Sequence, residues 1–215
     1  MNSERKKGEP MEILTEILTK WKNKIPPEKM RALAQRGRKM LISVGPIALV
    51  LLLVVFLMTT VLIKGTVESD SMNTCLKHGD GIIGFRLAYL YKIPERGDVV
   101  VCKNPVGEGL LVKRVIGLPG DVIEFVSGRV YINNKELSEP YARGVTLSEK
   151  GQTIFYVPDR CVFLMGDNRE YSEDARDWER PYVTLAMIKG KALLKYSTVG
   201  SVLRGETKPY ISKIS

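Results

Sequence analysis

Histidine occurs once in this chain, at position 78, and cysteine three times, at positions 75, 102 and 161. No two cysteines form a CxxC pair and no histidines cluster, which argues against a metal site. An odd number of cysteines leaves at least one thiol unpaired within the chain, so disulfides are not its main staple. Cys75, Cys102 and Cys161 read instead as small apolar fillers. Also missing are internal repeats, low-complexity stretches, zinc-finger spacings and any basic stripe interleaved with aromatics, and aromatics make up only 7% of the residues. The net charge of +9 therefore does not point to nucleic acid. Six of those nine charges fall in residues 1–39, where 11 Lys and Arg face 5 Glu, and the remainder is an ordinary surface.

What the chain does have is one long apolar run. Met40 to Ile63 holds 24 residues without a charge. At ~1.5 Å per residue they span ~36 Å, enough to cross a ~30 Å hydrocarbon core with some tilt. A cleaved leader has an apolar region of only ~7 to 15 residues and a small-x-small site after it, so the run reads as an uncleaved transmembrane anchor. Gly45 and Pro46 are expected in its first turns, where proline is tolerated. The organisation expected is a basic cytoplasmic arm over 1–39, the anchor over 40–63, and an extracytoplasmic domain over 64–215, with the bilayer as a partner. Within the arm, Ile13, Leu14, Ile17, Leu18 and Trp21 share one helical face, which suits either the inner leaflet or a solvated helix. Pro26-Pro27 separates that piece from a second basic one.

Beyond Lys64 the pattern changes to short runs of period two, rich in β-branched residues and bounded by Gly, Pro, Asn or Asp: VVVC, LLVKRVIG, DVIEF, RVYIN, TIFYV, CVFLM and ALLKY. They predict a mostly β fold, a compact sheet or barrel-like domain, with a hairpin turning at Ser127-Gly128. In LLVKRVI, an extended chain puts Leu111, Lys113 and Val115 on one face and Val112, Arg114 and Ile116 on the other. One cation must therefore share a face with apolar neighbours. A lysine held there loses hydration and its pKa falls from ~10.4 toward the range of a usable base, which arginine cannot reach. Taken alone, such a lysine reads as a snorkelling surface residue. It becomes a base only with a nucleophile beside it, and Ser71 is the candidate, because an unactivated hydroxyl needs a base within reach. His78 could approach Ser71 only by a tight fold-back and has no obvious carboxylate to orient it. A Ser-Lys dyad is the economical solution, with Ser69, if residues 69–71 are extended, donating to the developing oxyanion beside the Ser71 N–H.

Four segments in order behind one apolar run carry a resemblance. SDSM at 69–72, GDVVV at 97–101, KRVIGLPGD at 113–121 and GDNREYSEDAR at 166–176 resemble the motif boxes of type I signal peptidases, in their compact Gram-positive-like form. The resemblance implies a bacterial membrane protein that removes signal peptides from exported proteins, without metal or cofactor. It implies Ser71 as nucleophile, Lys113 as general base and Ser69 as the oxyanion hydroxyl. It further implies that Ser172 orients the Lys113 amine, that Asp174 and Arg176 form a supporting pair, that Asp167 is a structural member of the last box, and that Met72 lies at the substrate. Arg114 is expected to be a structural ion-pair partner, and Asn168 and Arg169 to be parts of a polar turn. Two positions depart from the family pattern: Thr74 stands where proline is usual, and Ala175 where serine is common. Both bear on efficiency and substrate range, as in a specialised or weakened paralogue. Two other classes fit parts of the pattern, an anchored non-catalytic β scaffold or receptor and a self-cleaving Ser-Lys protease of the repressor kind.

Overall fold

The computed structural model describes residues 26–197 and 210–214, together with Thr15, Thr19, Val202 and Leu203. The amphipathic face expected at Ile13 to Trp21 lies outside the described residues. One helix, α1 (Pro27–Val61), carries both the second basic piece and the apolar run. Proline at the first helical position lacks only an N–H that would be unpaired there anyway, so Pro27 starts the helix. Pro46 consequently stands inside a 35-residue helix, not in its first turns as the sequence suggested. The reason is that EKMRALAQRGRK, dominated by good helix formers, extends the helix backwards through the basic piece. None of the helical side chains is buried, and the most apolar window has a mean hydropathy of 2.9. The helix is thus long and apolar enough to cross a membrane.

Chain contacts separate the helical unit, which runs to Phe56, from a β unit that starts at Leu57. Within the β unit, β1 (Leu62–Thr66) begins directly after Val61, so the last two residues of the apolar run belong to a strand. The larger sheet adds β2 (Asp80–Phe85), β3 (Val99–Lys103), β4 (Leu110–Gly117), β9 (Cys161–Met165), β10 (Tyr182–Thr184), β11 (Ile188–Ser197) and β12 (Ile211–Lys213). Its order is β1-β2-β11-β3-β4-β9-β10, with β12 on β11, and every pair is antiparallel. This sheet curls into a half-barrel. A smaller sheet is ordered β7-β6-β5-β8, from β5 (Val122–Val126), β6 (Arg129–Ile132), β7 (Lys135–Glu136) and β8 (Ile154–Tyr156). The expected hairpin joins β5 to β6, and Ser127 and Gly128 both take positive φ (50° and 78°), as a two-residue hairpin turn requires.

Strand alternation divides the interior in two. On β3, Val100 and Cys102 enter a large core with Val115, Phe125, Phe155 and Phe163, whose rings pack at 4.8 to 6.4 Å. Val99 and Val101 point the other way, into a smaller core with Ile63, Met72, Leu76 and Ile82. All three cysteines are free: Cys102 is buried in the large core, and Cys75 and Cys161 are partly covered at its edges and those of its neighbour. Burial pushes the Cys102 thiol up to about 12, as befits an inert filler.

Candidate active site

Ser71 lies in a single 3-10 turn, Asp70–Met72, packed against β4. The condition that Ser69 to Ser71 be extended is not met, because only Ser69 is extended (φ −127°, ψ 149°). The cause is local: the Ser71 N–H donates to Ser69 Oγ at 3.2 Å, so Ser69 caps the turn as a short hydroxyl side chain caps a helix start. The N–H expected beside Ser69 to receive an oxyanion is therefore engaged by Ser69 itself. The hydroxyl hydrogen of Ser69 is left for another acceptor. Met72, expected at the substrate, is only 1% exposed; it packs in the smaller core and its Sδ accepts the Asp167 N–H at 3.4 Å.

Lys113 is 3% exposed and faces Val100 across the β3–β4 pair, so it occupies the apolar position that the strand pattern suggested. Its Nζ donates to Ser172 Oγ at 2.9 Å. Burial pushes the amine below its ordinary value of 10.5; the Asp174 carboxylate pulls it back without cancelling the effect, and the Arg176 guanidinium adds to the depression. Among the described residues no hydrogen bond joins Lys113 Nζ to the Ser71 hydroxyl.

What brings the two segments together is Gly166, which sequence reasoning passed over. A Cβ built on it would overlap Ser172 Oγ and the Ser71 carbonyl oxygen, so both converge on the space left by the absent side chain. The Gly166 N–H donates to Asp174 Oδ2 at 2.9 Å and its carbonyl accepts from Arg169 Nε at 3.0 Å. Asn168 then grips the serine turn twice: its N–H donates to the Ser71 carbonyl at 2.9 Å and its Nδ2 to the Asp70 carbonyl at 3.0 Å. The sequence suggested only a polar turn for Asn168. The readable sign was a glycine directly after a strand, followed by an amide side chain, a pattern common where a chain must approach another backbone closely.

Three buried arginines hold this loop. Arg176 pairs bidentately with Asp174 (Nε to Oδ1 2.8 Å, Nη2 to Oδ2 3.0 Å), and both are at most 3% exposed. Burial alone would raise the Asp174 carboxyl, but Arg176, the Ser172 hydroxyl and the Gly166 N–H outweigh it and keep it below the ordinary 3.8. Arg114 pairs with Asp167 (2.8 and 2.7 Å), donates to the Gly97 carbonyl, and lies 4.0 Å over the Tyr141 ring. Arg169 is held by Glu139 and by Thr146 Oγ1. His78 and Thr74 are exposed in the turns that follow. Ala175 is fully buried in the large core, where its methyl meets apolar neighbours.

The profile of the family described as "Signal peptidase, peptidase S26" matches residues 40–197. The chain belongs to this signal peptidase family. Among its relatives, "Probable signal peptidase I-2" of Synechocystis sp. is 34% identical over 143 residues, which is 63% of this chain and 63% of that protein. "Signal peptidase I" of Leptolyngbya laminosa is 32% identical over 151 residues, 66% of this chain and 71% of that protein. A solved signal peptidase I of Enterococcus faecalis is 32% identical, with a TM-score of 0.39 over 46% of this chain and 97% of that one. The signal peptidase match spans α1 from Met40, the serine turn, β4 and the loop from Gly166 to Arg176.

Proposed function

We propose that the protein is a membrane-anchored serine endopeptidase that removes N-terminal signal peptides from exported proteins, with Ser71 as nucleophile and Lys113 as general base. The observation that carries this reading is a lysine amine, buried and deprotonation-prone, aimed by the Ser172 hydroxyl in the loop that also grips the Ser71 turn. Neutral Lys113 takes the Ser71 proton as Oγ attacks the scissile carbonyl. The tetrahedral oxyanion takes a hydrogen bond from the Ser69 hydroxyl, and from the Ser71 N–H once Ser69 Oγ gives way. The Lys113 ammonium protonates the leaving amine, and an ester on Ser71 remains. Water then attacks that ester, Lys113 accepts its proton, and the proton returns to Ser71.

The signal segment fits as an added strand on β4. β9 pairs with β4 only from Arg114 onward, so among the described residues Leu110 to Val112 have a strand on one side and an open edge on the other. That edge leads to Lys113. Under the positive-inside rule, Lys29, Arg31, Arg36, Arg38 and Lys39 of α1 keep the N-terminal side in the cytoplasm, and the β unit lies outside. Ser71 follows Val61 by ten residues, so the chain can carry it no more than about 35 Å from the helix end, within reach of a membrane-held substrate.

The test is a precursor ending its leader in Ala-x-Ala, incubated in parallel with wild type, Ser71→Ala and Lys113→Met. Mature product only from wild type is expected, with losses of at least about 10²–10⁴-fold in the variants. Equal product from Ser71→Ala would leave a non-catalytic scaffold as the better reading.

A further inference from the structure

The open edge of β4 ends where β9 takes over at Arg114, so an extended peptide laid along it must leave the sheet at Lys113. A cavity of about 580 Å³ opens between residues 145–149 and 169–177, and the hydroxyl-bearing Ser172 that aims Lys113 forms part of its wall. A second depression of about 290 Å³ begins at Asp70 and Asn73, on the serine turn, and shares Glu170 and Tyr171 with the first. Sharing that wall, the two make a groove bordered by the nucleophile turn and by the partner of the base.

We infer that this groove receives the substrate on the carboxyl side of the cut, and that it favours cationic over anionic side chains at the first few positions after the scissile bond. The inference rests on the function proposed above. Val145, Leu147 and Tyr171 are 51%, 65% and 73% exposed along it, an apolar surface for an extended chain to lie on. Its charge is one-sided. The lining Arg169 and Arg176 are buried and neutralised by Glu139 and Asp174, whereas Asp70, Glu149, Glu170 and Glu173 are exposed and face Arg143 as the one exposed cation of the lining. The reaction itself creates a charge of the matching sign there, because the amine that leaves the scissile carbon, protonated by Lys113 and then by water, becomes the ammonium at the start of the mature chain.

The experiment uses the full chain in uncharged detergent micelles and a set of peptides with Ala-x-Ala before the cut and Gln, Lys or Glu at the second and third positions after it. kcat/KM should fall in the order Lys, Gln, Glu, with about three- to tenfold between the extremes, carried by KM and shrinking in high salt. Glu170→Gln with Glu173→Gln should bring the Lys-to-Glu ratio towards one, and Glu170→Lys with Glu173→Lys should invert it. Turnover of the Gln peptide with equal rates for Lys and Glu, or an unchanged ratio in both double variants, overturns the inference and leaves the proposed function standing. No turnover of any peptide overturns the proposed function and the inference with it.

Discussion

At the scale of single residues, the proposed chemistry turns on two side chains and one missing side chain. Lys113 shares an apolar face with Val100 and Val115, which is why its amine gives up a proton more readily than an exposed lysine. The same shift has a consequence for stability with a definite sign. The folded pKa lies below the unfolded value of 10.5, so between the two the unfolded chain binds more protons and stability rises with pH. Wild type should therefore gain in melting temperature relative to Lys113→Met as pH rises through that interval, and a difference independent of pH would contradict the burial argument. Gly166 is the missing side chain. Gly166→Ala must push Ser172 Oγ or the Ser71 carbonyl aside, at about 1–3 kcal/mol of stability, and a displacement of an ångström at the base is enough for about a 100-fold loss in kcat. A folded Gly166→Ala protein with wild-type turnover would show that the convergence on this point has no role. Asp174→Asn leaves Arg176 buried without its counter-charge and should cost about 3–5 kcal/mol, measured by denaturant unfolding.

At the scale of elements, what the sequence made legible followed from how local each cue is. Strands β3, β4, β5, β6, β8, β9 and β11 and the Ser127-Gly128 hairpin announce themselves by alternation and turn residues, and they are where the pattern puts them. β1 was hidden because Leu62 and Ile63 continue the apolar run, and hydrophobicity does not distinguish a residue that faces lipid from Ile63, which is 3% exposed in a protein core. The start of α1 was hidden because Pro26-Pro27 reads as a break, while proline is also a good first helical residue. The serine turn was not legible because the cap by Ser69 depends on one side-chain hydrogen bond that no periodicity reports. The grip of Asn168 on Asp70 and Ser71 joins segments nearly a hundred residues apart and could come only from the folded chain. Asn168→Ala removes the Nδ2 bond while keeping the backbone one. It should lower kcat more than it lowers stability, with loss of about 1 kcal/mol in unfolding free energy. Unchanged kcat would make the grip merely structural.

At the scale of the whole molecule, a helix fit to cross a membrane runs directly into the first strand of a β unit that holds a Ser, a Lys and their supporting ion pairs. In the proposed function the division of labour is physical: the helix restricts the search for a membrane-held leader, while the large apolar core keeps the Lys113 amine dry. External protease added to intact cells should digest the β unit and spare the N-terminal basic segment; the reverse pattern would overturn the orientation. The claim on which the rest depends is that Lys113 works as a neutral base, and the pH dependence of kcat/KM on a leader-bearing precursor tests it most directly. The expected profile rises with one ionisation whose midpoint lies below 10.5 and vanishes in Lys113→Met. A rise only near the ordinary lysine value, or turnover retained by Lys113→Met, would contradict it.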